Sequence, residues 1–356
     1  MRAPTKVVLV LAALQIAAVS PPIPVEKFPP SPAPIVSAPA WILYDETNDL
    51  VLDGVNVDTP RPMASTTKIM TGLLAIESGR LDEIVTVSQR AADIGEAEIG
   101  LEVGERIPME MLVHALLMRS GNDAAIAVAE HLGGTVEGFV AQMNLRAAEL
   151  GLTSTAFANP HGLDADGHHS SPRDLMTLGQ AAMALPEFAE IVGLTRYRIT
   201  DAPDGTARVA ESTNTLLTTY RGTFGVKTGF TFRAGLVFVG GAERDGRRLW
   251  VVVMGSDGPG AHFADATTLL DHGFDALRFV DTIRRGSPFR LASSRVSPEL
   301  AALARLHTLT LLRTIAIPPV TVVAEEPVAP EPDVLTADLP GPREALGWLF
   351  GAVRDG

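Results

Sequence analysis

The sequence predicts an α/β fold in which an antiparallel sheet is flanked by helices and carries an inserted helical lobe. Three observations predict it: a strand-like pair comes first, several helical patterns follow, and strand-like segments return before a last helix. Strands on both sides of a helical middle are typical of such an insertion. With 46% hydrophobic and 20% charged residues, the chain can bury a sizeable core.

The elements before and inside the lobe follow from residue spacing. Residues 41–44 are apolar and residues 50–57 alternate, so the two segments predict a hairpin. A helix is predicted from Ser65 to Gly79, where apolar residues recur three and four apart. Further helices are predicted wherever Ala and Leu recur at helical spacing, over residues 108–118, 122–131, 136–150 and 172–185.

After the predicted lobe, the residue pattern changes from helical spacing to that of strands. Strands are predicted over residues 197–200, 223–226, 234–240 and 248–254, and a helix over residues 261–279. Together with the first hairpin, these segments define one predicted domain over residues 40–281.

The N-terminal segment is typical of an export signal. Arg2 and Lys6 precede a mainly apolar run over residues 7–19, which is too short for a comfortable membrane span. We therefore predict that residues 1–20 are a signal peptide or an N-terminal anchor, and that residues 21–39 are a proline-rich linker. The expected location is outside the cytoplasm, in a periplasm or on the outer face of the cytoplasmic membrane.

The C-terminal segment is predicted to differ from the domain. Residues 282–342 are interpreted as an apolar helix followed by a proline-rich acidic tail, and residues 343–356 as a short amphipathic helix. Peripheral membrane contact through the N-terminal segment or this last helix is one hypothesis, and packing on the domain or fraying is the other.

The composition excludes several function classes. A formal net charge of -13 argues against a nucleic-acid partner, because phosphate binding requires a basic face. The absence of cysteine excludes a thiol nucleophile and cysteine-ligated zinc. His161, His168 and His169 lie in a glycine-rich stretch without helical ligand spacing, so we predict no metal and no cofactor. His161 is interpreted as a structural loop histidine and the other two as solvated.

The first candidate motif is Ser65-Thr66-Thr67-Lys68, at a predicted helix start. Residues three apart share a helix face, so the amine of Lys68 is expected within reach of the Ser65 hydroxyl. A lysine with a lowered pKa can remove the hydroxyl proton, and free N–H groups at the helix start can stabilise an oxyanion. Taken alone, the pair is also explained by a capping serine and an exposed lysine.

The second motif, Ser120-Gly121-Asn122, lies between two predicted helices. The Ser120 hydroxyl is a candidate proton relay between Lys68 and a leaving amine, and the Asn122 amide is a candidate clamp for a substrate backbone. An ordinary helix-to-helix turn is the alternative, because all three residue types favour turns.

The third motif is Lys227-Thr228-Gly229, followed by Phe230. On an edge strand, Lys227 and Thr228 are candidates to bind a terminal carboxylate, and Gly229 permits close approach of a ligand. The Phe230 N–H is a candidate to complete the oxyanion hole opposite Ser65. A surface lysine in a hairpin is the alternative.

All three motifs in this order resemble the D-alanyl-D-alanine carboxypeptidases, the low-molecular-mass penicillin-binding proteins. These are serine peptidases of the β-lactamase-like superfamily. The resemblance is carried by residues 61–71, 117–124 and 225–231, and residues 159–175 resemble the loop beside that family's active site.

The resemblance implies a serine β-lactamase-like fold and an acyl-enzyme mechanism. Ser65 is implied to be the acylated nucleophile and Lys68 its general base, while the second motif lines the cleft and the third receives a carboxylate. The implied reaction removes the terminal D-alanine from peptidoglycan stem pentapeptides, and β-lactam antibiotics are implied inhibitors. The domain over residues 40–281 is then the catalytic domain. The family's best-known members carry a further β-rich domain, for which residues after 281 show too few strand patterns.

Three alternatives stay open. A D,D-endopeptidase that cleaves peptidoglycan cross-links would use the same catalytic groups. A β-lactamase is disfavoured, because residues 150–186 contain aspartates but no glutamate to serve as the deacylation base of class A enzymes. A catalytically silent penicillin-binding module is disfavoured by the complete set of motif residues.

Overall fold

The computed structural model of the protein describes residues 34–286. The strands are β1 (Ala40–Asp45), β2 (Leu50–Val55), β3 (Ile84–Thr86), β4 (Arg106–Pro108), β5 (Arg196–Arg198), β6 (Val209–Glu211), β7 (Thr223–Thr231), β8 (Gly235–Arg244) and β9 (Arg247–Ser256). The α-helices are α1 (Lys68–Glu77), α2 (Gln89–Ala92), α3 (Met109–His114), α4 (Asn122–Gly133), α5 (Val136–Glu149), α6 (Pro172–Met183), α7 (Pro186–Gly193), α8 (Leu216–Thr219) and α9 (Ala261–Gly286).

Five strands form one antiparallel sheet in the order β2-β1-β9-β8-β7. The first hairpin therefore pairs with the last strand, and β7 is left at an edge. Alternate residues of β9 face two different cores, because successive side chains of a strand point to opposite faces. Val252 packs into the core shared with the helical lobe, whereas Val251 and Val253 pack into the core shared with α9.

The helical lobe is the chain between β2 and β7. Its helices α1 and α6 lie on the sheet face opposite α9, and α4 packs against α1. Helix α6 approaches the sheet closely at Gly179, where a β-carbon would lie 2.9 Å from the ring of Trp250. Sheet and lobe thus share one continuous core, which fixes the edge strand β7 relative to α1.

The predicted fold class is confirmed: the structure is an antiparallel sheet flanked by helices, with a helical lobe inserted between its strands. The hairpin β3–β4, strand β6 and helices α2, α7 and α8 were not predicted, because elements of three to eight residues show too little periodicity. Strand β7 is longer than predicted, since pairing with β8 carries it to Thr231 through residues of low strand propensity.

The signal or anchor, most of the linker and the C-terminal segment predicted from sequence lie outside the described residues, except that residues 282–286 form the end of α9. Within residues 34–286, none of the helices has both the length and the apolar character that crossing a membrane requires.

Candidate active site

The first motif lies on a 3₁₀ turn (Ala64–Thr67) that continues directly into α1. Lys68 is the first residue of α1 and is completely buried. Its Nζ lies 3.0 Å from the Oγ of Ser65. The structure therefore brings the two side chains together, and Lys68 is not the exposed lysine of the capping alternative.

The Lys68 amine has two further partners, and both are acceptors. Its Nζ lies 2.7 Å from Oδ1 of Asn122 and 2.5 Å from the carbonyl oxygen of His161. A neutral amine has two N–H groups and one lone pair. When the two N–H groups donate to these oxygens, the lone pair faces the hydroxyl of Ser65. The surroundings of Lys68 therefore orient it as a proton acceptor for Ser65.

The same surroundings favour the neutral amine. Burial lowers the pKa of Lys68 well below its usual value, and the nearby positive charge of Lys227 lowers it further. The carboxylates of Asp123 and Glu96 act in the opposite direction. The desolvation and the second lysine outweigh the two carboxylates, so the form that can accept a proton is stabilised.

The second motif follows a π-helical turn, Ala115–Arg119. Ser120 has a left-handed backbone with φ 69°, and Asn122 begins α4. The Asn122 amide is engaged on both sides, with Oδ1 facing Lys68 and Nδ2 donating to the carbonyl of Gly95 at 3.2 Å. The Ser120 hydroxyl is buried and has no hydrogen-bond partner among the described residues. A buried hydroxyl without a partner is uncommon, and here it lies in the motif predicted to handle a proton.

The third motif lies on the edge strand β7, which packs against the 3₁₀ turn. A β-carbon at Gly229 would lie 2.9 Å from the backbone nitrogen of Ser65, so only glycine permits this approach. The Lys227 amine is buried, and among the residues that the structure describes it donates to the carbonyl of Thr228 alone, at 3.0 Å. Burial lowers its pKa to about 7. Phe230 is partly exposed at the end of the motif.

Two side chains that sequence reasoning missed support the second and third motifs. The buried carboxylate of Asp123 accepts the backbone N–H groups of Ile99 and Leu101, and burial raises its pKa. Thr213 lies with its hydroxyl 2.7 Å from that of Thr228. Asp123 directly follows the second motif, so its position was a signal, whereas nothing in the sequence connects Thr213 to the third motif.

The loop over residues 156–169 forms another wall of the site. His161 contributes a backbone carbonyl to Lys68, and Thr71 donates its hydroxyl to the carbonyl of Pro160 at 2.6 Å. The prediction that His168 is solvated is wrong, because its side chain is buried against Thr67 of the 3₁₀ turn. A backbone acceptor has no side-chain signature, so the role of His161 was not visible in the sequence.

A metal centre finds no support in the part of the chain that the structure describes. There, no group of three or more His, Cys, Asp or Glu side chains is arranged to hold an ion. The groups that the structure does bring together at this site are Ser65, the two lysines and their hydrogen-bond partners.

A serine–lysine pair at the start of a helix, packed between a helical lobe and the edge of an antiparallel sheet, defines the class of penicillin-interacting serine enzymes. Within that class the chain belongs to the D-alanyl-D-alanine carboxypeptidase family, peptidase S11, whose sequence profile matches residues 27–258.

Characterised relatives support this assignment. The chain is 36% identical to the carboxypeptidase DacB2 of Mycobacterium tuberculosis over 69% of this chain and 86% of the relative. It is 34% identical to DacF of Bacillus subtilis over 67% of this chain, and the match spans 62% of the length of DacF.

Solved structures agree with the assignment. The DD-transpeptidase of Streptomyces K15 aligns with a TM-score of 0.65 and 31% identity, over 68% of this chain and 98% of the other. DacD of Francisella tularensis aligns with a TM-score of 0.62 and 27% identity, over 68% of this chain and 72% of the other.

Proposed function

We propose that the protein is a serine-type D-alanyl-D-alanine carboxypeptidase that removes the terminal D-alanine from peptidoglycan stem pentapeptides. The carrying observation is the 3.0 Å contact between Lys68 Nζ and Ser65 Oγ, in surroundings that favour the neutral amine. Lys68 takes the hydroxyl proton as the Ser65 oxygen attacks the carbonyl between the two D-alanines. The peptide C–N bond then breaks, and water later hydrolyses the ester on Ser65.

The other motif residues receive roles from their positions. The unpartnered hydroxyl of Ser120 passes a proton to the leaving amine nitrogen, which departs as free D-alanine. Lys227, whose buried amine has one hydrogen bond, and Thr228 bind the terminal carboxylate. The backbone N–H groups of Ser65 and Phe230 stabilise the oxyanion, with Gly229 permitting the close approach of β7.

The proposal extends to inhibitors and location. β-Lactam antibiotics acylate Ser65 in the same way, because they place a reactive carbonyl and a carboxylate in one molecule. The substrate lies outside the cytoplasmic membrane, so the protein acts there, consistent with the export signal predicted over residues 1–20. Residues 40–281 are the catalytic domain, and the N-terminal segment or the C-terminal helix is a candidate for peripheral membrane contact.

A second function is favoured by one observation: the aligned Streptomyces K15 structure is that of a DD-transpeptidase. In that reaction the amine of another peptide, instead of water, attacks the ester on Ser65. The catalytic groups of this chain are the same for hydrolysis, transpeptidation and cleavage of cross-links. The three reactions therefore differ only in the acceptor that attacks the ester or in the leaving group that departs when the ester forms.

The test is release of D-alanine from a synthetic peptide ending in D-Ala-D-Ala, with Ser65→Ala as the matched control. We expect release by the wild type, none by the variant, and a covalent penicillin adduct on Ser65 by mass spectrometry. Activity or labelling that persists in Ser65→Ala contradicts the proposal. Adding a glycine or peptide amine acceptor identifies transpeptidation, and digestion of muropeptide dimers to monomers identifies an endopeptidase.

A further inference from the structure

We propose that His168 is a positioning residue that holds the Thr67 hydroxyl, and through it the turn bearing Ser65 and Lys68, in the geometry needed for acylation. This inference rests on the proposed function. It concerns a side chain outside the three motifs and 101 residues from its partner Thr67 in the chain.

The hydrogen bonds around the His168 ring determine which nitrogen carries the proton. The backbone N–H of Ala158 donates to Nδ1 at 3.0 Å, so Nδ1 presents its lone pair. The neutral ring therefore carries its hydrogen on Nε2, which lies 2.8 Å from Oγ1 of Thr67. That oxygen donates its own hydrogen to the carbonyl of Ala64 at 2.8 Å, so it must accept from Nε2. The chain of donors has one consistent direction.

This series of hydrogen bonds ends on Ala64, a strained residue beside the proposed nucleophile. Ala64 directly precedes Ser65 and has φ 48°, a left-handed backbone conformation that residues other than glycine rarely adopt. Its carbonyl accepts the Thr67 hydroxyl, and the loop approaches it so closely that a β-carbon at Gly162 would lie 2.1 Å from that oxygen. The hydrogen bond from His168 thus supports a backbone conformation that sets the direction of the Ser65 side chain.

The loop that carries His168 also holds Lys68. The loop is closed by paired backbone bonds between Ala156 and His169, at 2.9 and 3.1 Å. Within it, the His161 carbonyl accepts from Lys68 while His168 donates to Thr67. The loop therefore holds the Lys68 amine through the His161 carbonyl and the turn that carries Ser65 through the His168 ring. Loss of the His168–Thr67 bond is expected to misplace the serine relative to the amine.

The neutral tautomer is maintained near neutral pH. Burial lowers the pKa of His168 to about 4, with the charge of Asp164 raising it and those of His169 and Lys68 lowering it. Protonation would place a hydrogen on Nδ1 facing the Ala158 N–H, which the observed contact does not allow.

The experiment compares two substitutions that each keep one half of the ring's hydrogen bonding. His168→Gln places an N–H near Nε2 and keeps the bond to Thr67. His168→Asn places an oxygen near Nδ1 and keeps the bond from Ala158 but cannot reach Thr67. The measurements are the rate constant for acylation of Ser65 by fluorescent penicillin, the kcat and KM for D-alanine release, and the unfolding temperature.

We expect His168→Asn to slow acylation and lower kcat by about tenfold or more at nearly unchanged KM, whereas His168→Gln stays within about threefold of wild type. Thr67→Val is expected to match His168→Asn, and the double variant to be no slower than either single variant.

Equal rates for the Asn and Gln variants overturn the inference, whether both are fast or both are slow. If penicillin labels the wild type and His168→Asn is acylated at the same rate, the inference is overturned and the proposed function stands. Wild type that is neither labelled nor active overturns the proposed function and this inference together.

Discussion

Two lysines are buried at the same site, and they differ in their hydrogen bonding. Lys68 contacts three oxygens at 2.5 to 3.0 Å, whereas Lys227 donates to one backbone carbonyl. The first amine is held in place by these contacts, and burial and the charge of Lys227 lower its pKa. The second retains most of its hydrogen-bonding capacity, as expected of a group that awaits a carboxylate. Burial is common to both lysines, and it is their different hydrogen-bond partners that support the proposed roles of base and carboxylate receptor.

The largest expected effect is at Lys68. Lys68→Met removes the base but keeps an apolar side chain of similar length, and we expect acylation of Ser65 to fall by about 10³-fold. Fluorescent-penicillin kinetics measure it, and the unfolding temperature verifies that the variant is folded. A variant that still reacts within about tenfold of wild type would show that Lys68 is not the base.

At Lys227 the expected loss depends on the substrate. Lys227→Gln is expected to lower kcat/KM by about 10²-fold for a peptide with a free terminal carboxylate. The same peptide with a C-terminal amide serves as the control, and there wild type and variant should react at similar low rates. An equal loss of kcat/KM on both peptides would contradict the role of Lys227 as a carboxylate receptor.

The stability effect of Lys227 has the opposite sign. Burial without a counter-charge disfavours its charged form, so Lys227→Met is expected to stabilise the free protein by about 1–3 kcal/mol near pH 7. The unfolded chain holds the proton up to the ordinary pKa of 10.5, whereas the folded chain releases it at about 7. Wild-type stability therefore rises with pH between these values, and the advantage of the variant fades there.

Denaturant unfolding at pH 7 and pH 10 measures this difference. An advantage that grows with pH would contradict the assigned direction of the pKa shift.

The smallest expected effect concerns Glu96, an exposed carboxylate that raises the pKa of Lys68. Glu96→Gln should lower that pKa further, so the acid limb of the pH profile of acylation moves to lower pH. The rate at neutral pH should change by less than about threefold, because water screens an exposed charge. Glu98→Gln on the same segment is the matched control. A limb that moves to higher pH would contradict the electrostatic account.

Sequence reasoning recovered the long elements and the motif residues. The apolar runs of β8 and β9 and the Ala- and Leu-rich helices identified the layers, because burial on both faces leaves a pattern in the chain. The spacing of Ser65 and Lys68 anticipated their contact, because a helical turn is local geometry. Short elements such as α2 and α8, of four residues each, carried too little signal.

The sequence could not assign the role of each partner. It offered Asn122 as a substrate clamp, which stays a prediction, and it did not show that the amide oxygen faces Lys68. It placed His168 in solvent, but packing of the loop on α1 buries it. Both differences arise from contacts between segments far apart in the chain, which residue type and spacing do not encode.

By itself the sequence determined the fold class, the family and the order of the three motifs, because each depends on local pattern or on residue identity. Tertiary structure alone decided that the His161 carbonyl, 93 residues from Lys68, turns the amine towards Ser65. It also decided that Gly229 brings β7 against the nucleophile. The physical reason is that a lone-pair direction and a backbone approach are set by packing, which forms only when the sheet and the lobe close around one core.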